Sequence, residues 1–169
     1  MTIKKIISGG QTGVDQAALQ VAFDLGLNHG GWCPPERVCE DGKIPYQFKL
    51  IETPQERDIS ALDIPRSQRT IWNVRDADGV LIFVQSKAQR DILRQAQDPG
   101  TKLAIETSMK LGKPYLVIDL NASPDLHEIQ NWILEFDIQV LSVGGPSEKT
   151  SPGIYRKTYQ FLLELLKPM

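Results

Sequence analysis

The chain has 169 residues, a usual length for one domain, so residues 1–169 are predicted to form a single domain. Its 19 basic and 21 acidic residues give a net charge of −2, which argues against binding to a nucleic acid polymer and against a polybasic membrane anchor. No apolar run approaches the ~20 residues of a membrane helix. Two cysteines are too few for a secreted disulfide scaffold, and the N-terminus shows no signal-peptide pattern, so a cytoplasmic protein is expected.

Hydrophobic periodicity predicts that strands and helices alternate along the chain. Continuous apolar runs such as Gly79–Val84 are typical of strands buried on both faces of a parallel sheet. Helices are predicted where apolar residues recur at intervals of three and four. In chain order, the predicted elements are strand Ile3–Ser8, helix 14–25, strand Asn28–Cys33, helix Ser67–Arg75, strand Gly79–Val84, helix 99–111, strand Tyr115–Leu120, helix 126–136, strand Ile138–Val143 and helix 155–166.

Two segments depart from this alternation. Residues 36–65 hold several prolines and are predicted to be irregular, with only Phe48–Thr53 resembling a strand. Gln85–Asp98 is rich in Gln, Arg, Lys and Asp and is predicted to be an exposed, partly helical insertion. The alternation elsewhere predicts an α/β fold with a mainly parallel sheet.

The first candidate binding feature is the loop Gly9-Gly10-Gln11-Thr12-Gly13 between a strand and a helix. Backbone N–H groups at such a junction, together with the helix dipole, favour a phosphate or another oxyanion. The loop matches neither the Walker motif nor the dinucleotide-binding motif. Asp15 would repel a phosphate, so it suits a ribose hydroxyl, a ring N–H or a bridging cation better. The alternative is a tight turn with Thr12 as the N-cap of the helix.

Two further loops have the same character. Pro99-Gly100-Thr101 precedes a predicted helix and offers small residues, a hydroxyl and N–H groups. Gly144–Gly153 follows the last predicted strand and contains Gly145, Ser147 and Lys149. Loops that follow parallel strands lie at the carboxyl edge of one sheet, where ligands bind in such folds. The three loops together therefore predict a small-molecule site at that edge.

A fourth feature is the segment Gly30–Pro34. It is interpreted either as a strand end with a packed Trp and a buried thiol, or as a rigid loop in which Trp32 stacks on a ligand. The nearby His29, Cys33, Cys39 and Asp41 match no common zinc spacing, so no metal site is predicted.

The predicted helix Ser67–Arg75 carries the fifth feature. Arg69, Asn73 and Asp76 lie at i, i+4 and i+7 and so share one face. This face is either an exposed polar surface with a weak ion pair or, for Arg69 and Asn73, part of the ligand site.

Ordered blocks along nearly the whole chain closely resemble the molybdenum carrier family, in the circularly permuted YpsA branch of the Rossmann-like SLOG superfamily. The opening Ile-Ser-Gly-Gly-Gln-Thr-Gly-Val-Asp segment closely resembles the opening of that family. The blocks that carry it are residues 7–19, 30–34, 40–42, 52–54, 69–79, 112–120 and 144–155.

This resemblance implies a three-layer α/β/α sandwich and self-association as a dimer or tetramer. It also implies a phosphorylated heterocycle as the ligand, either a nucleotide or molybdopterin in the molybdenum cofactor. The residues predicted to contact that ligand are Gly9, Gly10, Gln11, Thr12, Gly13, Asp15, Trp32, Arg69, Asn73, Gly100, Thr101, Gly145 and Ser147.

The activity is left open between two hypotheses. Related lonely-guy phosphoribohydrolases carry Pro-Gly-Gly-x-Gly-Thr-x-x-Glu, whereas here Ala104 stands three residues after Thr101 and Glu106 comes two positions later. Such a shift rotates Glu106 by roughly 200° on a helix. A binding, carrier or sensing protein is therefore favoured. A hydrolase of nucleotide N-glycosidic or phosphate bonds, with Asp15, Asp76 or Glu106 as acid or base, is the alternative.

Overall fold

The computed structural model describes residues 3–87, 96 and 98–167. A short 3-10 turn lies at Pro35–Arg37 between two of its strands. The strands and helices, in chain order, are β1 (Lys5–Ile7), α1 (Val14–Asp24), β2 (Asn28–Gly30), β3 (Trp32–Cys33), β4 (Val38–Cys39), β5 (Gly42–Lys43), β6 (Ile51–Glu52), α2 (Ser67–Arg75), β7 (Gly79–Val84), α3 (Pro99–Lys110), β8 (Tyr115–Asp119), α4 (Leu126–Glu135), β9 (Val140–Gly144) and α5 (Ile154–Leu166).

Five strands form a parallel central sheet in the order β2-β1-β9-β7-β8. The last strand, β9, lies between β1 and β7 and pairs with both. All six residues of β7 are buried, which is the burial that its apolar sequence predicts for a central strand. The predicted α/β fold with a parallel sheet is confirmed.

Helices cover both faces of this sheet. On one face, Leu81 and Phe83 of β7 pack in a large core with Val14 and Ala18 of α1, Ile133 of α4 and residues of α5. On the other face, the intervening β7 residues Val80 and Ile82 pack with α2 and α3. Alternate residues of one strand thus serve two cores, and the molecule is a Rossmann-like α/β/α sandwich.

The predicted strand Asn28–Cys33 is wrong as one element. Residues 28–30 pair with β1 in the central sheet, whereas Trp32–Cys33 pair with β6 in a separate two-stranded sheet. The chain turns at Gly31, whose φ is 119°, a conformation that favours glycine. The predicted strand Phe48–Thr53 shortens to β6, since Phe48 instead packs in a small core with Cys33 and Cys39.

The predicted exposed insertion Gln85–Asp98 falls mostly outside the described residues. At its first position the prediction differs from the structure, because Gln85 is buried and its side-chain amide donates to the carbonyls of Ser151 and Pro152. In the described ranges 3–87 and 98–167, no helix is long and apolar enough to span a membrane.

Candidate functional site

A cavity of about 250 Å³ lies at the carboxyl edge of the sheet, beside the ends of β1, β9 and β7. Its position matches the ligand-binding edge of parallel α/β sheets. Residues from the β1–α1 loop, α2, β7, the start of α3 and the β9–α5 loop contribute to its walls. The polar and glycine lining residues are Gly9, Gln11, Asp15, Glu40, Arg66, Arg69, Thr70, Asn73, Asp98, Gly100, Thr101, Ser142, Gly144, Gly145, Ser147 and Thr150.

A buried ion pair forms part of the cavity wall. Arg69 Nη1 of α2 lies 2.8 Å from Asp15 Oδ2 at the start of α1, and the two side chains are 15% and 5% exposed. Gly9 makes this contact possible, because a Cβ at that position would stand 1.8 Å from Arg69 Nη1. The absence of a side chain at Gly9 thus lets the guanidinium reach the carboxylate.

Asp15 titrates under opposing influences. Burial raises its pKa above the ordinary value, although the charge of Arg69 and a hydrogen bond from the Gln11 N–H lower it in part. Desolvation is the largest of these influences because the carboxyl group is almost completely enclosed. The structure therefore holds a carboxyl group with an increased tendency to bind a proton inside the cavity.

Glu40, which follows β4, is a second carboxylate on the wall and behaves in the opposite way. Burial is the largest influence and raises its pKa, but hydrogen bonds from Ser147 and Thr12 and from the Lys149 backbone together lower it below its ordinary value. Thr12 Oγ1 donates to Glu40 Oε2 over 2.8 Å. Glu40 is therefore held in its ionised form and joins the β1–α1 and β9–α5 loops.

The β1–α1 loop uses much of its polar backbone for internal contacts. Gln11 N–H donates to Asp15, while Gln11 Oε1 accepts from the N–H groups of Thr12 and Glu40. The alternative of Thr12 as an N-cap is wrong, because the N-cap is Gly13 and Thr12 Oγ1 instead contacts Glu40 and accepts from the N–H of Glu148. Of this loop, the cavity is lined by Gly9 and Gln11 but not by Gly10, Thr12 or Gly13.

The start of α3 borders the cavity with Asp98, Gly100 and Thr101. Asp98 is the N-cap, and its Oδ2 accepts from Thr101 N over 3.4 Å and from Thr101 Oγ1 over 3.3 Å. These are long hydrogen bonds, so the first turn is only weakly satisfied by the cap. The helix dipole adds partial positive charge at this wall.

Trp32 and Asn73 occupy different places relative to the cavity. Asn73 lines it, is buried, and exchanges hydrogen bonds with the backbone of Trp32 through both ends of its amide. The Trp32 ring lies outside the cavity lining, where it packs edge-on against Trp72 and donates from Nε1 to Asp76. The structure therefore does not place Trp32 where it would stack on a ligand in this cavity.

Gly145 and Ser147 both reach the cavity wall. A Cβ at Gly145 would lie 2.3 Å from the Phe83 carbonyl oxygen, so a side chain there is excluded by the neighbouring β7 backbone. Ser147 Oγ contacts Thr150 Oγ1 at 3.0 Å. These residues give the β9 side of the cavity a close backbone wall and a hydroxyl group.

Two of the residues considered as an acid or base lie away from the cavity. Asp76 accepts from Trp32 and Arg75, and Glu106 is exposed on α3 beside Lys102. Sequence reasoning missed Glu40 and Arg66 as wall residues. The Glu-Asp-Gly block at 40–42 was a signal for Glu40, whereas nothing in the sequence singled out Arg66.

The described part of the chain contains no group of three or more His, Cys, Asp or Glu side chains that could hold a metal ion. Cys33 and Cys39 are both free and buried, and burial raises the pKa of the Cys33 thiol. These two residues pack with Leu19, Ile44 and Phe48. Their surroundings are those of small core residues.

The sheet order and flanking helices define a Rossmann-like α/β protein with a cavity at its carboxyl edge. The chain belongs to the circularly permuted YpsA family of SLOG proteins, whose family model matches residues 6–166. A crystal structure from Syntrophus aciditrophicus SB, described as a "Putative molybdenum carrier protein", is similar, with 34% identity and a TM-score of 0.80. The match covers 98% of this chain and 96% of that one. No curated protein matches the chain significantly.

Proposed function

We propose that the protein binds and carries a small phosphorylated heterocycle in the cavity, either the molybdenum cofactor as cargo or a nucleotide. The observation that carries this proposal is the distribution of charge around one cavity. Arg66 and Arg69 contribute positive charge, the start of α3 adds the partial positive charge of its helix dipole beside the Asp98 carboxyl group, and Glu40 contributes an ionised carboxylate. Such a cavity suits a ligand that has an anionic end and a hydrogen-bond-donating end.

The phosphate end is assigned to the side of the cavity that Arg66, Arg69 and the first turn of α3 form. No described residue crowds Gly100 at the helix start, since the nearest described atom to a Cβ there is Asp98 Oδ2 at 3.8 Å. A guanidinium and an open helix start are both typical phosphate-binding groups. The β1–α1 loop contributes to the shape of the cavity through Gly9. It does not contribute the N–H groups of Gln11 and Thr12 as donors to phosphate, because these already have protein acceptors.

The heterocycle end is assigned to Glu40 and Gln11. A carboxylate accepts from ring N–H, amino or ribose hydroxyl groups, which nucleotides and pterins both provide. The volume of about 250 Å³ is near the lower end for ligand pockets, so a compact ligand is favoured. The similarity to the structure described as a putative molybdenum carrier supports the pterin as one choice.

Calorimetric titration with AMP, GMP, inorganic phosphate, molybdate and isolated molybdenum cofactor tests this proposal. We expect the nucleotide or the cofactor to bind, and Arg66→Ala to weaken that binding by about 10-fold or more, because a hydrogen bond to a charged group is lost. Arg75→Ala is the matched control, since Arg75 lies outside the cavity at the end of α2 and pairs with Asp76. The proposal is rejected if neither the nucleotides nor the cofactor bind below millimolar concentration.

A second candidate function is hydrolysis of an N-glycosidic bond in a nucleotide. It is favoured by one observation, the burial of the Asp15 carboxyl group in the cavity wall, which raises its pKa and so increases its tendency to hold a proton that it could donate to a leaving base. AMP incubated with the protein should then release adenine, and Asp15→Asn should abolish the release while Glu106→Ala retains it. Absence of adenine from the wild-type reaction would exclude this activity on AMP.

The proposal also includes a cytoplasmic location and self-association as a dimer or tetramer. Composition and family resemblance support these two features. Exposed apolar side chains at Tyr46, Ile59 and Leu62 provide surface for contact between copies. Light scattering of the purified full chain tests the association, and a monomer at all concentrations would reject it.

A further inference from the structure

A bound anion would compete with the Asp15 carboxylate for the guanidinium of Arg69. Both side chains line the cavity, and both are largely buried. Arg69 is therefore a positive charge on the cavity wall whose counter-ion is a carboxylate of the protein itself. A ligand oxyanion that approaches this guanidinium also approaches the Asp15 carboxylate.

Arg69 has unused hydrogen-bonding capacity. Its Nη1 donates to Asp15 Oδ2, while its Nε is buried and has no acceptor among the described residues. A guanidinium offers five N–H donors in a planar fork that matches the oxygens of phosphate, sulfate or a similar oxyanion. The buried Nε is therefore a donor whose hydrogen bond is still unmade among the described residues.

Resting on the proposed function, we propose that an oxyanion group of the ligand replaces the Asp15 carboxylate as the partner of Arg69, and that Asp15 takes up one proton from solvent in the exchange. The hydrogen bond from Arg69 Nη1 to Asp15 is broken, and new hydrogen bonds form from Arg69 to the ligand. The incoming proton forms an O–H bond on Asp15, so one negative charge is removed from the wall as the anion arrives.

Protonation is the favourable response because of where Asp15 lies. A buried carboxylate without a counter-ion is costly, and a neutral carboxyl group avoids that cost. Burial already raises the pKa of Asp15 while Arg69 is its partner, and loss of this partner raises it further. The Gln11 N–H, which donates to Asp15 Oδ2, remains available in both states.

The other charged groups around the cavity do not replace Arg69. Glu40 and Asp98 are acidic, and Arg66 lies at the N-cap of α2, one turn before Arg69. Ser8, directly after β1, and Ser142 of β9 provide hydroxyl groups that carry no charge, and a hydrogen bond with Ser8 lowers the pKa of Asp15 in part. Among the described residues, Arg69 is the one charged group that acts on the Asp15 titration.

The exchange predicts that the affinity for an anion decreases as pH rises. The pKa of Asp15 is higher in the bound state than in the free state, so between these two values binding takes up a proton. Affinity for an anion of constant charge is then highest at low pH. It falls by up to about 10-fold per pH unit as pH rises between the pKa of Asp15 in the free protein and its pKa in the bound protein.

Sulfate titration of the full chain tests the proposal, because sulfate stays divalent between pH 5.5 and 8.5. Calorimetry in three buffers with different ionisation enthalpies measures proton uptake. We expect close to one proton per bound sulfate in the interval, together with the fall in affinity. Asp15→Asn should bind sulfate without proton uptake, independently of pH, and at pH 8.5 more tightly than wild type. Asp76→Asn, outside the cavity, should behave as wild type.

Sulfate binding that takes up no proton and does not change with pH would overturn the exchange. Failure of sulfate to bind at pH 5.5 would also overturn it, because the Asp15–Arg69 ion pair would then persist even at the pH where protonation of Asp15 is most favoured. AMP or cofactor binding, measured separately, decides the proposed function in either case. If Asp15→Asn does not fold, the proton count of the wild-type chain decides the exchange alone.

Discussion

The two glycine-containing helix starts at the cavity look alike in sequence but have different physical roles. At the start of α1, the glycines are enclosed by protein, since a Cβ at Gly9 would meet Arg69 and one at Gly13 would lie 2.7 Å from the Pro146 carbonyl oxygen. At the start of α3, a Cβ at Gly100 would meet no described atom closer than 3.8 Å. Among the described residues, glycine therefore permits internal packing at the first junction and is uncrowded at the second.

The two helix starts also differ in how well protein acceptors satisfy their backbone N–H groups. In the β1–α1 loop, the N–H groups of Gln11 and Thr12 have protein acceptors at 3.1 and 3.0 Å, whereas that of Val14 has only a long contact of 3.5 Å to the Pro146 carbonyl oxygen. At α3, Thr101 N–H has only a long contact to the capping carboxylate of Asp98. A glycine-rich junction thus indicates that another group lies close to the backbone. The sequence of the junction does not show whether that group belongs to the protein or to a ligand.

Gly13→Ala should have the largest effect on stability. Gly13 has φ 83° and is packed against the backbone of residues 146–148, which cannot move as a side chain can. Backbone strain and overpacking together predict a loss of about 3 kcal/mol or more in the free energy of unfolding. Urea denaturation followed by circular dichroism measures this loss.

Gly26→Ala is the control for a positive φ without crowding. Gly26 has φ 68°, but a Cβ at this position would meet no described atom within 4 Å, so we expect a loss of only about 1–2 kcal/mol. Equal losses in the two variants would show that the contact between the β1–α1 and β9–α5 loops contributes nothing beyond the conformation of the glycine.

Gly9→Ala should have an intermediate effect on stability and a specific effect on the site. The new methyl group would force the Arg69 side chain away from Asp15, at a cost of about 1–3 kcal/mol for the overpacked contact. Urea denaturation measures the cost, and a crystal structure of the variant shows whether the ion pair is broken. Gly144→Ala is the control, because its Cβ would lie 4.0 Å from Asp15 Oδ1, an ordinary contact.

Gly100→Ala should have the smallest effect on stability, with the opposite sign. Alanine is favoured over glycine in a helix and meets no obstacle among the described residues, so a gain of about 0.5 kcal/mol is expected. The same methyl group would narrow the proposed phosphate site and weaken AMP or cofactor binding. Thermal unfolding and calorimetry measure the two effects, and unchanged binding would contradict the phosphate assignment at α3.

The fold was predictable because its signals are local. Apolar runs such as Gly79–Val84 and helical periodicities such as that of α5 identify elements without reference to distant residues. The segment Asn28–Cys33 was the exception, because its division depends on two different partners, β1 and β6, and on the turn at Gly31. Strand pairing of this kind is a tertiary property.

The site was predictable only as a region. The sequence indicated the carboxyl edge of the sheet and residues such as Gly100 and Ser147, which the structure places on the cavity wall. It did not indicate that Asp15 pairs with Arg69, since 54 positions separate them and the contact depends on the packing of α1 and α2 around the sheet. The ring of Trp32 lies outside the cavity for a similar reason, as Trp72 and Asp76 hold it.

The central place of β9 has a consequence for the order of folding. Among the described residues, the β2-β1 pair and the β7-β8 pair are joined in the sheet through this strand, which comes after both in the chain. Contacts between residues distant in the chain form slowly, so we expect the two halves of the sheet to join only when Val140–Gly144 inserts between them. The cavity lies where these two halves meet, so we expect it to be completed only at the last step of sheet assembly.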